Sequence, residues 1–152
     1  MAEGTTRGHR VLIVDDEAHI VHVVSLKFAN AGFTIFTAAD GEEALELAIQ
    51  EKPDLLITDL QMPYMSGLEL CTRMKSHQVT QNIPAIMLTA RGYALAQSDL
   101  AATNIKAVMS KPFSPRQVLE KAREILGLDQ IESDSASQST LPESGERSVR
   151  AA

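Results

Sequence analysis

Val11-Leu12-Ile13-Val14-Asp15-Asp16-Glu17 is an unbroken aliphatic run that stops at three consecutive acids, and it sets the architecture of the chain. A strand with one solvated face alternates apolar and polar residues. A short continuous β-branched run instead marks a strand covered on both faces, as in a parallel sheet. Leu55-Leu-Ile-Thr58 and Ala85-Ile-Met-Leu-Thr89 read the same way, while Thr34-Ile-Phe-Thr37 and Ala107-Val-Met109 are weaker runs. Between them lie stretches of helical period: Ile20, Val23, Val24 and Phe28; then Ala44, Leu45, Ala48 and Ile49; then Leu68, Cys71 and Met74. Val118, Leu119, Ala122, Ile125 and Leu126 form the clearest stripe, and Ala94–Ala102 forms the weakest. Asp40 with Glu43, Ser66 with Glu69 and Ser114 with Gln117 have capping-box spacing, the last with Pro115 at the first helical position. Gly32 and Gly127 stand where helices stop. Five strands alternating with five helices predict a doubly wound α/β domain, an open parallel sheet with helices on both faces.

Composition sets limits on function. The 152 residues carry 14 Lys plus Arg against 20 Asp plus Glu, a net charge of −6, with one cysteine and no tryptophan. Nucleic-acid binding is dominated by basic residues neutralising phosphates, so this balance argues against it. The apolar runs fall far short of the roughly 20 residues of a membrane-spanning helix, and Met1–His9 has no signal-peptide core. The expectation is a soluble, cytoplasmic protein. Cys71 has no partner for an internal disulfide and, at helical spacing from Leu68 and Met74, reads as a core residue. Three segments follow: a disordered N-terminus over 1–9, a folded body over 10–126, and a Ser-rich acidic tail or linker over 127–152. That tail has six serines and only four large apolar residues, too few to offset the entropy of ordering.

In open α/β sheets the functional crevice lies outside the carboxyl ends of the strands. Here the first run ends in Asp15-Asp16-Glu17, the third in Asp59, the fourth in Thr89 and the fifth in Ser110-Lys111-Pro112. Brought together, they make an anionic pocket with one hydroxyl and one ammonium. Clustered carboxylates repel unless a cation neutralises them, and an all-oxygen site suits Mg²⁺. Each residue alone has an ordinary explanation. Asp15 and Asp16 fit solvated turn or helix-cap positions, Asp59 a turn, Thr89 a strand-end cap, and Lys111 a solvated lysine. Their recurrence at the same end of successive strands favours the shared pocket.

Val-Leu-Ile-Val-Asp15-Asp16-Glu17, Leu-Leu-Ile-Thr-Asp59-Leu-Gln-Met-Pro63, Met65-Ser-Gly67, Met-Leu-Thr89-Ala90 and Ser-Lys111-Pro112-Phe113 together resemble the response-regulator receiver domain of two-component signalling, in its single-domain, chemotaxis-regulator-like form. The resemblance runs from about Arg10 to Leu126. It implies a flavodoxin-like sheet of order 2-1-3-4-5. It also implies Asp59 as phosphoacceptor, Thr89 and Lys111 as phosphoryl contacts, and Mg²⁺ held by Asp15, Asp16, Asp59 and the backbone carbonyl of Gln61. A cis Lys111-Pro112 bond is expected, with Gln61 and Arg91 tuning the lifetime of the phosphoryl group. The implied partners are a sensor histidine kinase or histidine phosphotransfer protein and a downstream protein target, with the chain a monomer or a phosphorylation-dependent dimer. Only slow self-catalysed phosphorylation and dephosphorylation are expected.

The sequence departs from that family at three places. Val108 stands three residues before the lysine, where the family usually has Tyr or Phe, so an aromatic rotamer switch cannot operate there. Ser66 replaces a common Asp, and Asn104 takes the usual glycine position before the fifth strand, where Asn tolerates positive φ. Three other readings stay in view: a receiver fragment of a longer regulator, a phosphorylation-independent binding module, and an aspartate-nucleophile phosphohydrolase. The hydrolase requires a second acid two residues beyond its nucleophile, and Gln61 occupies that position. His9, His19, His22 and His77 show no metal-ligand spacing, and His19 and His22 fall on the exposed side of the first helix.

Overall fold

The computed structural model describes residues 8–90 and 95–128. Five parallel strands alternate with five helices: β1 (Arg10–Val14), α1 (Ala18–Asn30), β2 (Thr34–Ala38), α2 (Gly41–Glu51), β3 (Leu55–Asp59), α3 (Gly67–Lys75), β4 (Ala85–Thr89), α4 (Gln97–Ala101), β5 (Ile105–Ser110) and α5 (Pro115–Leu126). The sheet order is β2-β1-β3-β4-β5, the doubly wound order that the family resemblance implies.

The three continuous runs occupy the centre, and β3 and β4 are buried along their whole length. Side chains alternate between faces, so each central strand feeds two cores. Leu12, Val14, Leu56 and Met87 point to the α2–α3 side, where Ala44, Ala48, Leu70 and Cys71 cover them. Val11, Ile13, Ile57 and Leu88 point to the α1–α5 side, against Val24, Phe28, Val118 and Ala122. The edge strands carry exposed residues: β2 is only half covered, and β5 alternates buried or half-buried with exposed positions.

Helix ends follow the local chemistry. Ser114 and Gln117 form a reciprocal capping box ahead of Pro115. Asp40 accepts from the Glu43 amide at 2.9 Å, but Glu43 reaches one residue further back than predicted, to the Ala39 amide. α1 closes with Gly32 at φ 99°, the Phe33 amide donating to the Phe28 carbonyl and the two rings 5.1 Å apart. α5 closes in the same way through Gly127, with Leu128 donating to Arg123. Both are 6→1 and 5→2 closures with an apolar residue folded under the helix end.

Several expectations need correction. His9, assigned to a disordered terminus, accepts from the Thr34 amide through its carbonyl and packs edge-on against Phe33. Leu128, assigned to the tail, is buried in the α1–α5 core, because helix closure carries it inward. Residues 1–7 and 129–152, on which the rest of the disorder expectation falls, lie outside the described residues, as does Arg91. The helix expected over Ala94–Ala102 is described only over Gln97–Ala101. Asn104 does not adopt positive φ; among non-glycine described residues only Lys52 and Tyr64 do. The Asn104 side chain instead accepts from Lys75 and donates to the Gln81 carbonyl, tying the end of α3 to the entrance of β5. His19 and His22 are exposed on α1, and Cys71 is buried, which pushes its thiol up to about 12.

Candidate functional site

The carboxyl ends of β1 and β3 are neighbours in register, Val14 lying opposite Thr58, so Asp15 and Asp59 leave the sheet side by side. Carboxylate oxygens of Asp15, Asp16 and Asp59 lie within 4.8 Å of one another. Asp15 and Asp59 are buried and Asp16 is exposed, so the cluster has a closed floor and one open side. The loop after β3 is held by the Leu60 amide donating to the Leu88 carbonyl and the Gly67 amide donating to the Leu60 carbonyl, both at 2.8 Å. Gly67 is required at that crossing, since a Cβ there would stand 2.2 Å from the Asp59 carbonyl oxygen.

The Lys111 ammonium enters from the far edge of the sheet. Its Nζ lies 3.0 Å from Asp59 Oδ1, 3.2 Å from Glu17 Oε1 and 3.6 Å from Asp15 Oδ2. The Lys111 amide donates to the Thr89 carbonyl at 2.7 Å, and the Lys111-Pro112 bond is cis. Burial alone would lower the lysine's pKa, but its contacts with Asp59, Asp15 and Glu17 outweigh burial and raise it. Asp15 is raised from 3.8 to about 6, chiefly by burial, with Asp59 adding to the effect while the Glu17 amide and Lys111 oppose it. Asp59 is also raised, by burial first, against the opposing pull of Lys111.

One cation therefore only partly offsets the cluster. Asp15 Oδ1 accepts from the Glu17 amide at 2.9 Å, whereas Asp15 Oδ2 is buried and accepts no hydrogen bond. An orphaned buried carboxylate oxygen beside two more carboxylates fits a hard, oxygen-seeking divalent cation. Asp15 is thus no helix cap, and the N-cap of α1 is Glu17.

The remaining predicted residues differ in burial. Thr89 closes β4 fully buried, but its hydroxyl donates at 2.7 Å to the neighbouring Ala90 carbonyl. Gln61 is exposed, two residues beyond Asp59. Val108 on β5 is 38% exposed. Sequence reasoning gave Glu17 no role, although its carboxylate shares Lys111 with Asp59. The available signal was its place in the same strand-end acid run.

A family model described as the response regulator receiver domain matches residues 11–123, and the chain belongs to that family. Receiver domains are signalling domains rather than conventional enzymes. They work with histidine kinases or phosphotransfer proteins and generally bind Mg²⁺ in an acidic pocket. The chain is 35% identical over 127 residues to the alkaline phosphatase synthesis transcriptional regulatory protein PhoP of Bacillus subtilis, covering 84% of this chain and 52% of that protein. It is 34% identical to the phosphate regulon transcriptional regulatory protein PhoB of Pseudomonas aeruginosa, covering 78% and 52%. The chain thus spans about half the length of these curated relatives. Among solved structures, the chemotaxis response regulator CheY4 of Vibrio cholerae superposes with a TM-score of 0.71 at 31% identity, covering 78% of this chain and 98% of that one. Among the described residues, no helix is long and apolar enough to cross a membrane.

Proposed function

We propose that this chain is a phosphoacceptor switch in which Asp59 receives a phosphoryl group from the phosphohistidine of a sensor histidine kinase or phosphotransfer protein. The observation that carries this reading is the Asp59 carboxylate, buried at the end of the central strand and 3.0 Å from a lysine, with two further carboxylates beside it. An Asp59 oxygen forms a bond to phosphorus while the phosphorus–nitrogen bond of the donor breaks, and the imidazole leaves with the electron pair. Mg²⁺, held by Asp15, Asp16, Asp59 and the Gln61 carbonyl, would supply charge neutralisation for the transferring group. Lys111 is already paired with the acceptor carboxylate and stays to neutralise the added charge. Thr89 must turn its hydroxyl away from Ala90 to donate to a phosphoryl oxygen. Gln61, rather than an acid, stands two residues beyond Asp59, which fits slow self-catalysed gain and loss of the group.

The added charge of about −1.5 to −2 draws Thr89 and Lys111 inward and shifts the loops joined to them, altering a protein–protein contact. The proposed folded unit runs from His9 to Leu128, with the location cytoplasmic. A second reading is favoured by the half-length match. The curated relatives carry names of transcriptional regulators, and in that reading this receiver, with 129–152 as linker, controls an effector domain.

Intact mass after incubation with acetyl phosphate tests the first proposal. Wild type should gain one hydroxylamine-labile phosphoryl group only with Mg²⁺, and Asp59→Asn should gain none. A folded, Mg²⁺-binding wild type that gains none would overturn it.

A further inference from the structure

α1 and α5 pack side by side, and two adjoining shallow grooves of about 320 and 380 Å3 run between them. The two share Lys27, Asn30 and Arg116. Val23, Leu26 and Pro115 supply apolar wall, and Leu26 is 53% exposed. Arg116 is paired with Glu120 at 3.3 Å, while Lys27 has no carboxylate partner among the described residues. The surroundings make this groove unusual, since residues 10–126 hold eleven bases against fourteen acids.

The chain leaves the folded body beside this groove. Leu128 is buried under the end of α5, and its amide donates to the Arg123 carbonyl. The next residues are Asp129-Gln-Ile131-Glu132-Ser-Asp134, three acids around one large aliphatic. From Leu128 back to Arg116 the helix covers about 18 Å at ~1.5 Å per residue. Six extended residues span about 20 Å, so Asp134 reaches Arg116 and Lys27. A segment of this composition cannot build a core of its own and orders only against an existing surface.

We propose that Asp129–Asp134 folds back along α5 and docks in the α1–α5 groove, with Ile131 against Ala31 and Leu119 and with Glu132 and Asp134 beside Lys27 and Arg116. Exposed ion pairs are individually weak and screened by salt, so the docked state is salt-sensitive. This inference is independent of the phosphoacceptor reading.

The test is paramagnetic broadening in the full-length chain, with a nitroxide on Ser133→Cys. Cys71 stays unlabelled because it is buried and its thiol is pushed up to about 12. At low ionic strength the Leu26, Lys27 and Arg116 amides should lose more than half their intensity, and they should recover it near ~0.5 M salt. Glu132→Lys/Asp134→Lys should abolish the broadening without touching the folded body. Combining it with Lys27→Glu/Arg116→Glu should restore it. No broadening on α1 and α5, broadening centred elsewhere, or broadening indifferent to both charge reversals would overturn the proposal. So would broadening that appears when a labelled chain is mixed with an unlabelled, isotope-enriched one, because the contact would then lie between copies.

Discussion

β3 and β5 both deliver a charged residue to the same crevice, from opposite conditions of burial. β3 is buried at all five positions and ends in Asp59, pinned between β1 and β4 with its following loop tied back to Leu88. β5 is an edge strand with exposed Lys106, Val108 and Ser110, and it hands over to Lys111. The Asp59 carboxylate is thus part of the buried interior, while the Lys111 ammonium comes from the less covered edge of the sheet. Elements that move in a switch are drawn from the less stable parts of a fold, and in the proposed switch β5, with its exposed positions, is such an element. In the proposed switch, an exposed Val108 in place of an aromatic removes one carrier of the signal and leaves the backbone joined to Thr89 and Lys111 as the other.

The largest expected effect lies in the interior. Leu56→Ala should cost about 2–5 kcal/mol in chemical denaturation, because the cavity opens between two packed layers. Gly67→Ala should cost about 2–4 kcal/mol and disturb metal binding, since the new methyl meets the Asp59 carbonyl and Met87. A loss under about 1 kcal/mol for either would break the contrast with the edge.

A third measurement sharpens the electrostatic side. Asp15 is raised from 3.8 to about 6, so between those values the folded protein holds a proton that the unfolded chain has released. In metal-free buffer, this group's contribution lowers stability as pH rises from about 4 to about 6 and is flat above that. Asp15→Asn should flatten that slope and be the more stable protein at pH 7, by about 1–2 kcal/mol. Mg²⁺ should bind wild type more tightly as pH rises through the same window. A slope unchanged in Asp15→Asn would assign it to another group.

Smaller effects belong to the periphery. Ser114→Ala removes half of a capping box and should cost about 1 kcal/mol by thermal or chemical unfolding. Val108→Ala should fall within about 0.5 kcal/mol, since its side chain is substantially solvated. A loss approaching that of Leu56→Ala would mean that β5 is as firmly packed as β3.

The interior was readable because it obeys short rules. The continuous runs of β1, β3 and β4 signal burial on both faces, and their terminal acids mark the crevice without reference to anything distant in sequence. The edge was less readable. Ala94–Ala102 offers few large apolar residues, so its extent had no periodic signal to fix it. Asn104 met its constraint with a side chain instead of a left-handed backbone, a choice set by Lys75 and Gln81 in another element. Glu17 was invisible as a partner of Lys111 because the two lie 94 residues apart and meet only when β5 is in place. Leu128 and His9 were assigned to tails on composition, yet a backbone hydrogen bond and an apolar contact fold each of them in.

The sheet order also has a consequence for biosynthesis. Because β1 lies between β2 and β3, the first three strands made are contiguous in space, and with the turn after β1 they carry all three clustered aspartates. A nascent chain elongated as far as Asp59 therefore holds the electrostatic repulsion without the lysine that relieves it. It also presents the bare hydrogen-bonding edge of Leu55-Leu-Ile-Thr58 until β4 is made, the kind of edge that recruits other chains. The interval between emergence of β3 and emergence of β4, rather than the final stability of the domain, limits how long that edge stays uncovered.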